Sequence, residues 1–80
     1  MDGEAFLTRL AAEAGTKAIS PAEVDAVLDL ARVVAHTVER RLAPLSAYTA
    51  GLALAGEADP ATRAAHVRAL IVAVEALTGE

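Results

Sequence analysis

Between Val24 and Leu42 the apolar residues recur with the period of an α-helix. Val24, Val27, Leu28, Ala31, Val34, Ala35, Val38 and Leu42 fall within an arc of about 120° when each residue advances the helix by 100°. Leu30 and Val33 lie outside that arc and require either a second neighbour within the bundle or a partner chain. Nothing in the chain offers a competing strand. Apolar residues do not alternate over any useful length, and the abundant alanine disfavours sheets. The fold class that follows is all-α.

Proline and glycine divide this helical material. Pro is tolerated in the first turn of a helix, where its missing N–H would have no partner anyway. Ser20-Pro21-Ala22-Glu23 has the form of a capping box, with Ile19 and Val24 placed as a hydrophobic staple around it. Asp59-Pro60 marks another start, with a carboxylate cap favoured by the helix dipole. Ala43-Pro44 either ends the second helix or kinks it, and Ser46 is a rival cap for the third. Gly15, Gly56 and Gly79 each follow a periodic stretch and suit the left-handed C-terminal position. The chain reads as one domain over 1–80, a compact four-helix bundle-like fold with helices near 3–14, 21–42, 45–55 and 60–78. Its short connections set sequential helices antiparallel or at an angle.

The composition limits both the core and the partners. Of the 80 residues, 21 are Ala and only two are aromatic, so the core is thin and association would strengthen it. The net charge of −4 leaves no clustered basic surface for nucleic acid. Without cysteine there are neither disulfides nor thiolate metal sites. The N-terminus lacks the basic region and long apolar run of a signal peptide, and no apolar run is long enough to span a bilayer. A cytoplasmic location is the simplest expectation. Six Arg against one Lys, with much Ala, Val, Leu and Gly, suggests a GC-rich coding sequence.

Two segments carry more apolar surface than one bundle position needs. Residues 44–56 are uncharged and apolar nearly all round, which predicts a buried helix. Ala47, Gly51 and Ala55, spaced by four, would allow a tight interhelical crossing. The last helix has a large apolar side (Val67, Leu70, Ile71, Val74, Leu77) and a smaller one opposite, formed by Ala65, Ala69, Val72 and Ala76. The smaller side is a candidate interface, and a homo-oligomer is the expected state.

One polar constellation could carry chemistry. Asp25, Asp29, Arg32, His36 and Arg40 lie on one face of the second helix, and Asp29 and Arg32 can pair across three residues. Asp29, Arg32 and His36 form a candidate site for a small anionic ligand such as a pterin or nucleotide, with Arg32 as the donor fork and His36 as a titrating neighbour. The plainer reading of the row is a solvated helix face that also caps or bridges to a neighbouring helix. Tyr48 is expected to pack with its hydroxyl bonded, and His66 lies at the edge of a polar side. No catalytic triad, phosphate-cradling loop or metal motif is present, so no catalytic residue, cofactor or metal is assigned.

Leu28-Asp29-Leu30-Ala31-Arg32, Ala35-His36, Ala43-Pro44-Leu45-Ser46, Tyr48 and Gly51-Leu52-Ala53 together form a pattern. This central block resembles a family of small helical actinobacterial domains, encoded alone or fused to molybdopterin-cofactor nucleotidyltransferase domains. The resemblance covers about a third of the chain. It implies an accessory role in molybdenum-cofactor biosynthesis, with the nucleotidyltransferase as a partner, and no activity of the domain itself. Val33 departs from the acidic residue frequent in that family, and Arg41 from its proline, so the polar face here is less acidic.

Overall fold

Four α-helices, and no strand among the described residues 1–79, make up the computed structural model: α1 (Gly3–Ala14), α2 (Pro21–Thr37), α3 (Leu42–Ala53) and α4 (Pro60–Leu77). The all-α, bundle-like class expected from the periodicity is the class found. Three of the helices start on a side chain that replaces a missing backbone acceptor. Asp2 accepts from the Ala5 N–H at 2.7 Å, and Asp59 accepts from the Thr62 N–H at 3.2 Å. At α2 the capping box is complete: Ser20 Oγ accepts from the Glu23 N–H at 3.2 Å, and Glu23 Oε1 accepts from the Ser20 N–H at 2.8 Å.

The second and third helices meet elsewhere than the sequence suggested. Helix α2 stops at Thr37 rather than near residue 42, and α3 begins at Leu42 rather than 45. Pro44 explains the shift. The first turn of a helix has N–H groups without partners, so a proline is accommodated anywhere within it. Starting α3 at Leu42 keeps Pro44 in that turn, as its third residue. The break therefore moves upstream, to Val38–Arg41, where the Leu42 and Ala43 N–H groups bond the Glu39 and Arg40 carbonyls in tight turns. Ser46 caps nothing, and Arg41 holds the cap position without a capping bond, its guanidinium turned instead to Glu39.

The far end of α3 also differs. Gly15 (φ +78°) and Gly79 (φ +82°) adopt the left-handed conformation, but Gly56 does not. The Leu54, Ala55 and Glu57 N–H groups bond carbonyls three or four residues back, which closes the helix without a left-handed residue.

Helix α2 is central, packed against α4 along one side and α3 along another, whereas α1 has no neighbour packed as closely. The core is small: Ala26, Leu30, Val34, Ala50 and Val67 are buried, with Val27, Leu42, Leu54, Leu70, Ile71 and Val74 partly buried around them. The buried stripe of α2 thus runs through Glu23, Ala26, Leu30 and Val34, rotated by roughly a quarter of a turn from the predicted arc. Leu28 and Val38, assigned to that arc, are exposed. Leu30 meets the second neighbour it required. The rotation has a cause that apolar counting misses, because one residue of the buried stripe is a glutamate.

Helix α3 is not buried all round. Leu45, Tyr48 and Leu52 are exposed, and only Ala50 is fully covered. Gly51 makes no close crossing, since a β-carbon built there would meet nothing within 4 Å. On α1, Phe6 and Leu10 are each about half exposed. On α4, Leu77 projects into solvent at 85 % exposure despite its place on the larger apolar side.

Candidate functional site

The best-built polar cluster joins the starts of α2 and α4. Glu23 occupies the third position of α2, where the capping box holds its carboxylate toward the helix start. Arg63 occupies the first turn of α4 and reaches across. Its Nε donates to Glu23 Oε2 at 2.6 Å and its Nη2 to Oε1 at 3.1 Å, a two-pronged pairing matched to the planar carboxylate. The remaining Nη1 donates to the Glu57 carbonyl at 2.9 Å, tying down the loop before α4. Glu23 is 5 % exposed. The Arg63 hydrogen bonds, with help from Ser20, overcome the cost of burial and lower its pKa to about 2. Every buried polar side-chain atom among the described residues has a partner. Both Glu23 oxygens and three of the five Arg63 N–H donors are engaged by protein, so the cluster works as a clasp between helices.

The row predicted on α2 is divided. Asp29 is the hub: Arg68 Nη1 of α4 donates to its Oδ2 at 2.5 Å, and Arg32 Nη2 lies 3.7 Å from its Oδ1. The Arg68 hydrogen bond above all, opposed by desolvation and aided by smaller contributions from the charges of Arg68 and Arg32, lowers the Asp29 pKa. The structure thus brings Asp29 and Arg32 together and adds Arg68. His36, in the last turn of α2, is exposed and makes no hydrogen bond or ion pair among the described residues. Asp25 is exposed at the start of the row, and Arg40 lies beyond the end of α2. The bridge to a neighbouring helix is therefore present, and the positive charge of Arg32 faces a carboxylate already in place.

Two clefts lie elsewhere. One, of about 790 Å³, opens between α1 and the start of α2, where Phe6, Leu7, Ile19 and Val24 form apolar walls and Glu4 and Asp25 sit at its edge. The other, of about 280 Å³, runs between α3 and α4 over Leu30 and Ala50. Neither reaches Arg32 or His36. The remaining candidates are on the surface. Ala65, Ala69, Val72 and Ala76 are all exposed along the outer side of α4, with Val72 at 65 %. Tyr48 is 68 % exposed and its hydroxyl makes no hydrogen bond among the described residues, contrary to the packed phenol expected. His66 is exposed. No group of three His, Cys, Asp or Glu side chains among the described residues could hold a metal. Nor is any described helix long and apolar enough to cross a membrane.

Residues 2–80, nearly the whole chain, match the family model described as Domain of unknown function (DUF6457). The chain belongs to the DUF6457 family. No curated protein and no solved structure matches it. Within this DUF6457 chain, sequence reasoning found the cap role of Glu23 but missed Arg63 and Arg68, which lie about forty residues from their partners. The one available signal was Glu23 itself. It stands in register with Ala26, Leu30 and Val34, and a charge on an otherwise apolar stripe requires a partner.

Proposed function

We propose that this domain is a non-catalytic, cytoplasmic interaction module that associates with itself and acts as an accessory to other proteins. One observation carries the reading. The subunit exposes 5718 Å² of surface, whereas a folded monomer of 8.2 kDa is expected to expose about 4,500 Å². The surplus of about 1,200 Å² exceeds the roughly 800 Å² per partner of a standard protein interface. Much of it is large apolar side chains, including Phe6, Leu10, Leu28, Leu45, Leu52 and Val72, each at least half exposed. A radius of gyration of 13.0 Å, against about 12 Å for a chain this long, agrees with it. Exposed apolar strips of this kind mark association surfaces. The test is the solution mass by light scattering at micromolar concentration, and a mass of one chain would remove self-association.

The likeness of residues 28–53 to domains that accompany molybdopterin-cofactor nucleotidyltransferases supplies the candidate second partner. It makes molybdenum-cofactor assembly the process served. A pull-down with the tagged domain should enrich the nucleotidyltransferase, and no enrichment would remove that link.

A further inference from the structure

We infer that the groove between α3 and α4 is where a second copy of this chain docks, forming a closed two-fold dimer. The inference rests on the self-association proposed above and assigns its surface.

Ten residues line the groove, among them Leu30, Leu42, Leu70 and Val74, and none of the ten is charged. Two copies of a chain with net charge −4 repel at long range, and a charge-free face adds no local contact between like charges to that cost. The charge-free stretch from Leu42 to Gly56 supplies that face. At about 280 Å³ the groove falls just below the size of typical small-molecule pockets and suits inserted side chains instead.

Shape points the same way. A two-fold interface uses the same patch on both subunits, so the patch must offer a ridge as well as a groove. Leu45, Tyr48 and Leu52 follow i, i+3 and i+7 along one exposed side of α3 and form that ridge. Leu45 belongs to both ridge and groove wall. The Leu45–Tyr48–Leu52 ridge of one copy fills the groove of the other, and the reverse, while Leu77 at the end of α4 loses its exposure. The surplus belongs to the subunit as a whole, and Leu45, Tyr48, Leu52 and Leu77 are the exposed apolar part of it that this interface covers. The outer strip of α4, with Val72, faces away from the groove lining formed by Leu70, Ala73, Val74 and Leu77.

The experiment compares three full-length variants with the unaltered chain by light scattering and sedimentation equilibrium. Leu45→Glu and Ala73→Glu put a charge in the groove, and Val72→Glu puts one on the outer strip. All three positions are exposed, and circular dichroism checks that each variant folds. The expected result is a mass of two chains for the unaltered protein and for Val72→Glu. Both groove variants should be monomers, with dissociation constants raised by about two orders of magnitude or more. A dimer that survives both groove substitutions, or is lost in Val72→Glu, overturns the groove assignment and leaves self-association standing. A monomeric unaltered chain overturns both, and an oligomer larger than two overturns the closed two-fold arrangement. Single cysteines provide a readout independent of variant stability, because the chain has none of its own. A short bis-maleimide should cross-link Leu45→Cys into dimers far more efficiently than Val72→Cys, and equal or reversed yields count against the groove.

Discussion

Replacing Glu23 by Gln removes the charge of the α2–α4 clasp and one arm of its two-pronged pairing while keeping the capping box. Gln serves in a capping box as Glu does, so its oxygen keeps the bonds from the Ser20 N–H and Arg63 Nη2. Its NH2 replaces Oε2, and the hydrogen bond from Arg63 Nε is lost with the charge. The magnitude follows from proton linkage. The Glu23 pKa falls from 4.5 to about 2 on folding. At about 1.4 kcal/mol for each tenfold change in proton affinity, that corresponds to about 3 kcal/mol. The pair lies close beneath the surface, with Arg63 23 % exposed, and solvent screening reduces the contribution to about 2 kcal/mol. The sign is that of a depressed carboxyl. The stabilisation is complete above the unfolded value of 4.5 and is lost as the pH falls toward 2. For a domain of this size, Glu23→Gln should therefore lower the melting temperature at pH 7 by about 8–16 °C. At pH 3 less than half of that difference should remain. Thermal melts followed by circular dichroism at the two pH values measure both quantities. Asp29 and Asp59, whose pKa values are also lowered, titrate in both proteins and cancel in the comparison. A melting temperature within 3 °C of the parent at pH 7, or the same deficit at pH 3 and pH 7, would refute the reasoning.

Further predictions concern the core, two glycines and the surface pair. Leu30→Ala, at a side chain 2 % exposed in a core of few large residues, should cost about 3 kcal/mol in urea denaturation. The two glycines should respond with opposite signs. Gly15→Ala should cost about 1 kcal/mol, because its φ of +78° strains a β-carbon although space is open. Gly51→Ala should stabilise by about 0.5–1 kcal/mol, since that glycine is helical and uncrowded; destabilisation there would restore the tight crossing first expected. Asp29→Asn should leave the circular dichroism spectrum unchanged and lower the melting temperature only at low salt, as expected for an exposed pair.

The helices and several of their ends were readable from local chemistry. The Ser20–Glu23 capping box, the Asp59 cap and the glycine at residue 15 need only residues within a few positions of one another, and all formed. The 3–14 and 60–78 boundaries fell within a residue of those observed for the same reason. The Pro44 region was ambiguous because a proline fits anywhere in a first turn, and local rules alone do not choose the position. At the polar row, the spacing of Asp29 and Arg32 gave their pairing, while His36 proved to share only the helix and not the cluster.

The tertiary structure decided which face of α2 is inward, and with it the electrostatics. Periodicity fixes an apolar stripe only to within a broad arc. The stripe's final angle depends on the helices against it, here α4 gripping Glu23 through Arg63 and Asp29 through Arg68. Those contacts span about forty residues, a separation at which no spacing rule operates. The sequence alone determined that the chain is helical, where the capped starts of α2 and α4 lie, and that more than half of its side chains are apolar. Only packing determined which of them, Leu45, Leu52 and Val72 among them, were left facing water, because exposure depends on neighbours that local sequence does not specify.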